Sequence, residues 1–168
     1  METLNAYLFH FCLAALIGLV YWAAFSDFAY YLIPNRVSIA IAGLYPSYVI
    51  SAPVPVDWQG GIVCAAILFG IGFLMFTFGF AGGGDVKLLT AVALWAGPGL
   101  VGPMLIVTAM AGGMISLAAI VRIQWSRPRA EAGTPFGAWL APILEERIPY
   151  GAAIAVGALY VAASLSRL

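Results

Sequence analysis

The chain has 168 residues, of which 64% are hydrophobic and 8% charged, and its mean hydropathy is +1.02. That balance leaves too little polar surface to clothe a soluble globule, so a water-soluble fold is excluded. A formal net charge of zero removes the basic face that nucleic-acid binding needs, and a single His10 with two distant cysteines removes the ligand cluster of a metal site.

Residues 4–26 form an uncharged run of the length that spans a bilayer. Glu2 precedes it where a signal peptide would carry bases, so it reads as a retained span. His10 reads as a neutral, hydrogen-bonded side chain near one interface, and Cys12 and Cys64, each in an apolar run, as small buried hydrophobes. The run stops at Asp27, and the aromatics, Pro34, Asn35 and Arg36 that follow read as an interfacial turn. A second span, 37–51, contains Pro46 and is short for a full crossing. Ala52 to Gln59 is a proline-rich loop with Asp57 as a solvated acid and Trp58 at the interface. The third span, 60–80, carries glycines that let neighbouring helices pack closely, and it delivers the chain into Gly82-Gly83-Gly84-Asp85-Val86-Lys87.

After Val86 the breaks at Ala96-Gly97-Pro98-Gly99 and Gly102-Pro103 predict two short helices, 86–97 and 103–121, with one kinked span as the alternative. A polar region then holds Arg122, Arg127, Arg129, Glu131, Glu145, Glu146 and Arg147, and inside it the apolar piece from Pro135 to Leu144, with Trp139, reads as lying in the interface. A last span covers 149–165. The expected fold is an all-α integral membrane protein: a bundle of about six transmembrane helices with an interfacial cytoplasmic segment, forming a single domain over 1–168.

With six spans and the amino terminus outside, the inner connections hold Arg36, Lys87, Arg122, Arg127, Arg129 and Arg147, leaving only Arg167 outside among the 7 lysines and arginines. Asp27 then closes the first span and Asp85 opens the fourth at the same, cytoplasmic, level. Three consecutive glycines beside Asp85 have no Cβ, so the backbone there is free to take positive φ or to let another chain approach. A glycine-rich turn with a capping Asp is the other reading. Two carboxylates brought close would share a proton, giving one acid and one base for water attack on a peptide carbonyl. Lys87 would add positive potential nearby, or anchor the topology by reaching to the interface.

Asp27 followed by Ile33-Pro34-Asn35, then Gly82-x-Gly84-Asp85 with Val86-Lys87, then Pro149-Tyr150-Gly151, resembles the type IV prepilin peptidases, membrane aspartic proteases of the GxGD type. The similarity is to their short forms, such as those serving Flp (tight-adherence) pili, and extends over nearly the whole chain. It implies that Asp27 and Asp85 are the catalytic pair, with Pro34, Asn35, Gly82, Gly83, Gly84, Lys87, Pro149, Tyr150 and Gly151 as substrate-binding or supporting positions. It implies as partner a pilin precursor with a basic leader and a hydrophobic helix, cut at the cytoplasmic face of a bacterial inner membrane. The long members carry paired cysteines in an extra cytoplasmic region and also methylate the new amino terminus. No CxxC occurs here, so peptidase activity without methyl transfer is expected, with neither zinc nor S-adenosylmethionine needed and no cofactor. Pairing of substrate with the glycine stretch as an added strand is one use of its bare backbone.

Other readings of the same acids are a GxGD intramembrane protease of another substrate class, a small proton or cation carrier using both Asp side chains, and a non-catalytic assembly subunit.

Overall fold

Apolar side chains recur on one face of the first helix at Phe9, Cys12, Leu16, Val20 and Ala23, all buried, at the three- and four-residue steps that line up one helical face. In the computed structural model, which describes residues 2–126 and 150–167, that helix is α1, Glu2–Tyr30. It is followed by α2 (Asn35–Ser51), α3 (Trp58–Thr77), α4 (Gly83–Ser126) and α5 (Tyr150–Leu165). No strand occurs among the described residues. Arg127, Arg129, Glu131, the segment from Pro135 to Leu144 with Trp139, Glu145, Glu146, Arg147 and Pro149 lie outside the described residues.

As one rod, the 44 residues of α4 would be about 66 Å long, twice a bilayer core. The chain instead breaks at Gly97, whose φ of 58 and ψ of −174 are not helical. Along the first arm (83–96), Val86 lies against Gly72 and Leu94 against Gly61, so this arm runs antiparallel to α3. Along the second arm (98–126), Met104 and Thr108 lie against Gly157, and Gly112 against Ala153, so that arm runs antiparallel to α5. The chain breaks at Gly97, and Pro103 lies inside the second arm rather than at the second break expected there. A positive φ disfavours any side chain, so Gly97→Ala is expected to cost about 1–2 kcal/mol. A lower thermal midpoint in detergent would register it.

α5 is lined with small buried residues, Gly151, Ala153, Ala155, Gly157, Ala158 and Ala162, which let it pack closely against both α1 and α4. Between α2 and α4 sits an aromatic group in which Tyr48 stacks on Trp95 at 4.8 Å and Trp95 Nε1 donates to the Ile41 carbonyl at 3.0 Å. That bond satisfies a buried indole N–H and fixes the height of α4 against α2. Outward faces stay apolar. Ile62, Phe73 and Leu74 of α3 are half or more exposed, which suits lipid as the surrounding solvent.

By length and composition, three helices among the described residues can cross a membrane, namely Thr3–Tyr30, Trp58–Thr77 and Gly83–Arg122, while Tyr150–Leu165 is a shorter apolar helix. This is a helical membrane protein, but the helices do not by themselves amount to six crossings. The 17 residues of α2 give about 25 Å, short of the roughly 30 Å hydrocarbon core. Boundaries differ from expectation for local reasons. α3 ends at Thr77, and the chain turns at Gly79 with φ 78. Asp57 is no free loop acid: it caps α3, accepting the Gly60 N–H at 2.9 Å. His10 is exposed, its ring edge-on to Phe9 at 5.4 Å, and its side chain makes no hydrogen bond among the described residues.

Candidate active site

α1 continues one turn past Asp27, so Asp27 extends the buried stripe of Val20 and Ala23 rather than ending the helix in water. It is 7% exposed. Tyr31 stops the helix with a φ of 51, its N–H still donating to the Asp27 carbonyl at 2.9 Å. The chain then folds back under the helix end, where Ser26 Oγ donates to the Leu32 carbonyl at 2.7 Å. Pro34, extended at φ −65 and ψ 133, delivers it into α2 at Asn35.

Asp85 comes from the other side, in the first turn of α4, where an acid is favoured by the helix dipole. None of Gly82, Gly83 and Gly84 takes positive φ; among the described glycines only Gly79 and Gly97 do. These three glycines instead serve close approach. A Cβ on Gly84 would stand 3.1 Å from that of Ile33, and one on Gly82 would stand 2.7 Å from Asp85 Oδ2. A Cβ on Gly83 would stand 3.3 Å from the Phe76 ring. The contact of Gly84 with Ile33 is what draws the two acid-bearing segments together. Gly83 and Gly84 are helical, and the Gly82 carbonyl accepts the Val86 N–H at 3.1 Å. The stretch therefore presents the N–H groups of a helix start, so of the two uses open to its bare backbone the turn into α4 is the one seen.

The result is a cavity of about 300 Å³ at one end of the bundle, walled by Asp27, Tyr31, Leu32, Ile33, Asn35, the three glycines and Asp85. Asp27 and Asp85 both wall it, facing one volume from two different helices. α5 supplies the remaining wall of Asp27. The Gly151 N–H donates to Asp27 Oδ2 at 2.7 Å, and a Cβ on Gly151 would stand 2.8 Å from that oxygen and 3.0 Å from Asp27 Cγ. Only a residue without a side chain can bring its amide so close.

Of the positions singled out in the sequence, Asp27, Asn35, Gly82, Gly83, Gly84 and Asp85 wall one cavity, and Gly151 touches it through Asp27. Pro34 sets the entry to α2. Tyr150 opens α5 with its side chain 46% exposed. Pro149 lies outside the described residues. Lys87 Nζ donates to Asn35 Oδ1 at 3.0 Å and pairs with neither aspartate, so it ties the start of α4 to the start of α2. A single exposed hydrogen bond contributes about 0.5–1.5 kcal/mol. Lys87→Ala should therefore lower stability by no more than about that amount, read as the thermal midpoint in detergent. Tyr31 and Leu32 were not singled out, and their only signal is their place in the turn after Asp27. Among the described residues no three His, Cys, Asp or Glu side chains come together as a metal site, and Cys12 and Cys64 are both free.

The family model described as the type IV leader peptidase family matches residues 12–117, a segment that contains both aspartates and every cavity residue except the α5 contact. No curated protein and no solved structure matches the chain.

Proposed function

The chain belongs to the type IV leader peptidase family, and from that premise we propose that it is an aspartic endopeptidase that removes the leader of type IV, Flp-like prepilins with Asp27 and Asp85. The observation that carries the reading is that these two acids, from the end of α1 and the start of α4, wall one cavity at one end of an apolar bundle.

The chemistry follows from the pair. Two carboxylates facing one cavity hold one proton between them, because ionising both costs strong repulsion. The ionised member takes a proton from water as its oxygen attacks the scissile carbonyl, and the protonated member gives its proton to the carbonyl oxygen. The tetrahedral diol then collapses. Its C–N bond breaks as one hydroxyl returns its proton to the carboxylate that donated in the first step and the nitrogen collects a proton from the acid formed there, so a carboxylic acid and an amine leave and the pair again holds one proton. Which aspartate begins protonated is a property of the pair. The Gly151 N–H, aimed at Asp27, keeps that carboxylate oriented through the cycle. First-turn N–H groups of α4 offer donors to the substrate's carbonyls beside Asp85.

We place α2, α5 and both arms of α4 across the membrane with α1 and α3, giving six crossings in one peptidase domain. In this reading the amino terminus is outside and both aspartates are at the cytoplasmic face of a bacterial inner membrane, an orientation supported by the concentration of bases. Methyl transfer is not part of the reading. A carrier role is less well supported, because the cavity sits at a helix-end level rather than midway along the bundle.

The test is reconstitution. Purified protein in detergent or liposomes should shorten a prepilin precursor with a basic leader to one new amino terminus, read by mass spectrometry. An uncleaved precursor would remove the proposal.

A further inference from the structure

Beside the aspartate cavity, and sharing Asn35 with it, lies a second hollow of about 350 Å³ between α2 and α3, floored by the first arm of α4. We propose that this groove seats the first turns of the substrate's apolar helix, immediately past the scissile bond. The inference rests on the leader-peptidase reading and deepens it by assigning the surface that holds the substrate.

The groove is apolar and its lining is small where a helix would press. Ala42, Ala65 and Ala91 present only methyl groups, which lets a partner backbone come close in lipid. Its rim, Ile39 at 69% and Phe69 at 45% exposed, opens sideways to the membrane, so a helix enters without passing through water. Along α4 it runs from Lys87 to Leu94, about 10 Å or two helical turns.

Ser38 gives the groove a polar point. It is 6% exposed, and its Oγ is buried without a hydrogen-bond partner while lining the hollow. A substrate helix that starts at the cut brings first-turn N–H groups with no partner of their own, and lipid supplies none. A rotation about χ1 would bring Ser38 Oγ out of its buried position to accept one. The junction with the catalytic cavity is the Asn35–Lys87 hydrogen bond, so a chain crossing from groove to aspartates passes amide and ammonium groups. A phospholipid occupant fits less well, because Lys87 is the one cation among the described residues lining the hollow and its ammonium is already hydrogen-bonded to Asn35.

A photoreactive benzophenone side chain placed at Ile39 or Phe69, in an Asp85→Asn chain that holds precursor uncut, tests the assignment. The bait is a synthetic precursor with a basic leader and an apolar segment of about 20 residues. Met114 and Leu117, 73% and 60% exposed on the second arm of α4, serve as controls on another lipid-facing surface. Gly112, two residues before Met114, lies against Tyr150, so these controls share the level of the aspartates. Adducts several-fold stronger from Ile39 and Phe69 than from the controls are expected. In the otherwise native chain, Ala42→Phe should raise KM about tenfold with kcat little changed, and Leu117→Phe should change neither. Equal adducts at all four positions, or an Ala42→Phe chain with unaltered KM, would overturn the groove while leaving cleavage itself established. Failure of the native chain to cut the bait at all would overturn the peptidase reading and the groove with it.

Discussion

Asp27→Asn and Asp85→Asn are each expected to lower precursor cleavage by about a thousandfold or more, since in the proposed mechanism each removes a group that gives or takes a proton in the rate-determining step. The loss should come without unfolding. Asparagine keeps the shape of aspartate, and at position 27 its carbonyl oxygen can still accept the Gly151 N–H now made at 2.7 Å. Its amide cannot exchange a proton with water or substrate. Because the acids work as one unit, the double variant should be no slower than either single one. Helical circular dichroism and the thermal midpoint in detergent, measured beside the cleavage rate, separate lost chemistry from lost structure. An amide variant that cuts at the native rate would show that its position lies outside the mechanism.

Gly151→Ala is expected to have the next largest effect, although residue 151 carries no functional group. The new methyl would meet Asp27 Oδ2 at 2.8 Å, Cβ at 2.9 Å and Cγ at 3.0 Å, distances that carbon cannot keep. Either α5 withdraws, losing the 2.7 Å hydrogen bond, or the Asp27 carboxylate turns away from Asp85. Displacement of a reacting group by about 1 Å costs on the order of a hundredfold in rate. The strain should also lower stability by about 1–3 kcal/mol. The loss should fall on kcat, with KM little changed, because the groove and the helix start that would receive substrate are built from α2, α3 and α4. A Gly151→Ala chain with native kcat would mean that the α5 contact is packing alone.

Much of this arrangement could be read from the residues before any coordinates. Asp27 and Asp85 stand out because a carboxylate at the end of an apolar run has to be accommodated, and Ala96-Gly97-Pro98-Gly99 marks the reversal at Gly97 through residues that cannot continue a helix. The packing order could not be read. In a soluble helix the polar face says which side is out, whereas α3 and α5 are apolar around their whole circumference, so periodicity does not reveal their neighbours. For that reason the docking of α5 on α1, and with it the Gly151 hydrogen bond to Asp27, appears only in three dimensions. Local chemistry also misled at particular points. A triple glycine suggests left-handed backbone, yet Gly83 and Gly84 are helical and lack side chains because Phe76 and Ile33 occupy the space. Asp57 is solvated as its setting suggests, but the cap it also forms depends on where α3 begins. Lys87 resembles a partner for Asp85 two residues away, but successive helical positions point apart, and its ammonium reaches Asn35.

Single-turnover cleavage in water enriched in oxygen-18 tests most directly whether the aspartate pair hydrolyses the peptide through water. With protein in excess over precursor, the prediction is one heavy oxygen in the new carboxylate of the released leader and none in Asp27 or Asp85 of the recovered protein. Heavy oxygen in either aspartate side chain would mean that it had attacked the peptide itself, and would contradict water-mediated cleavage by the pair.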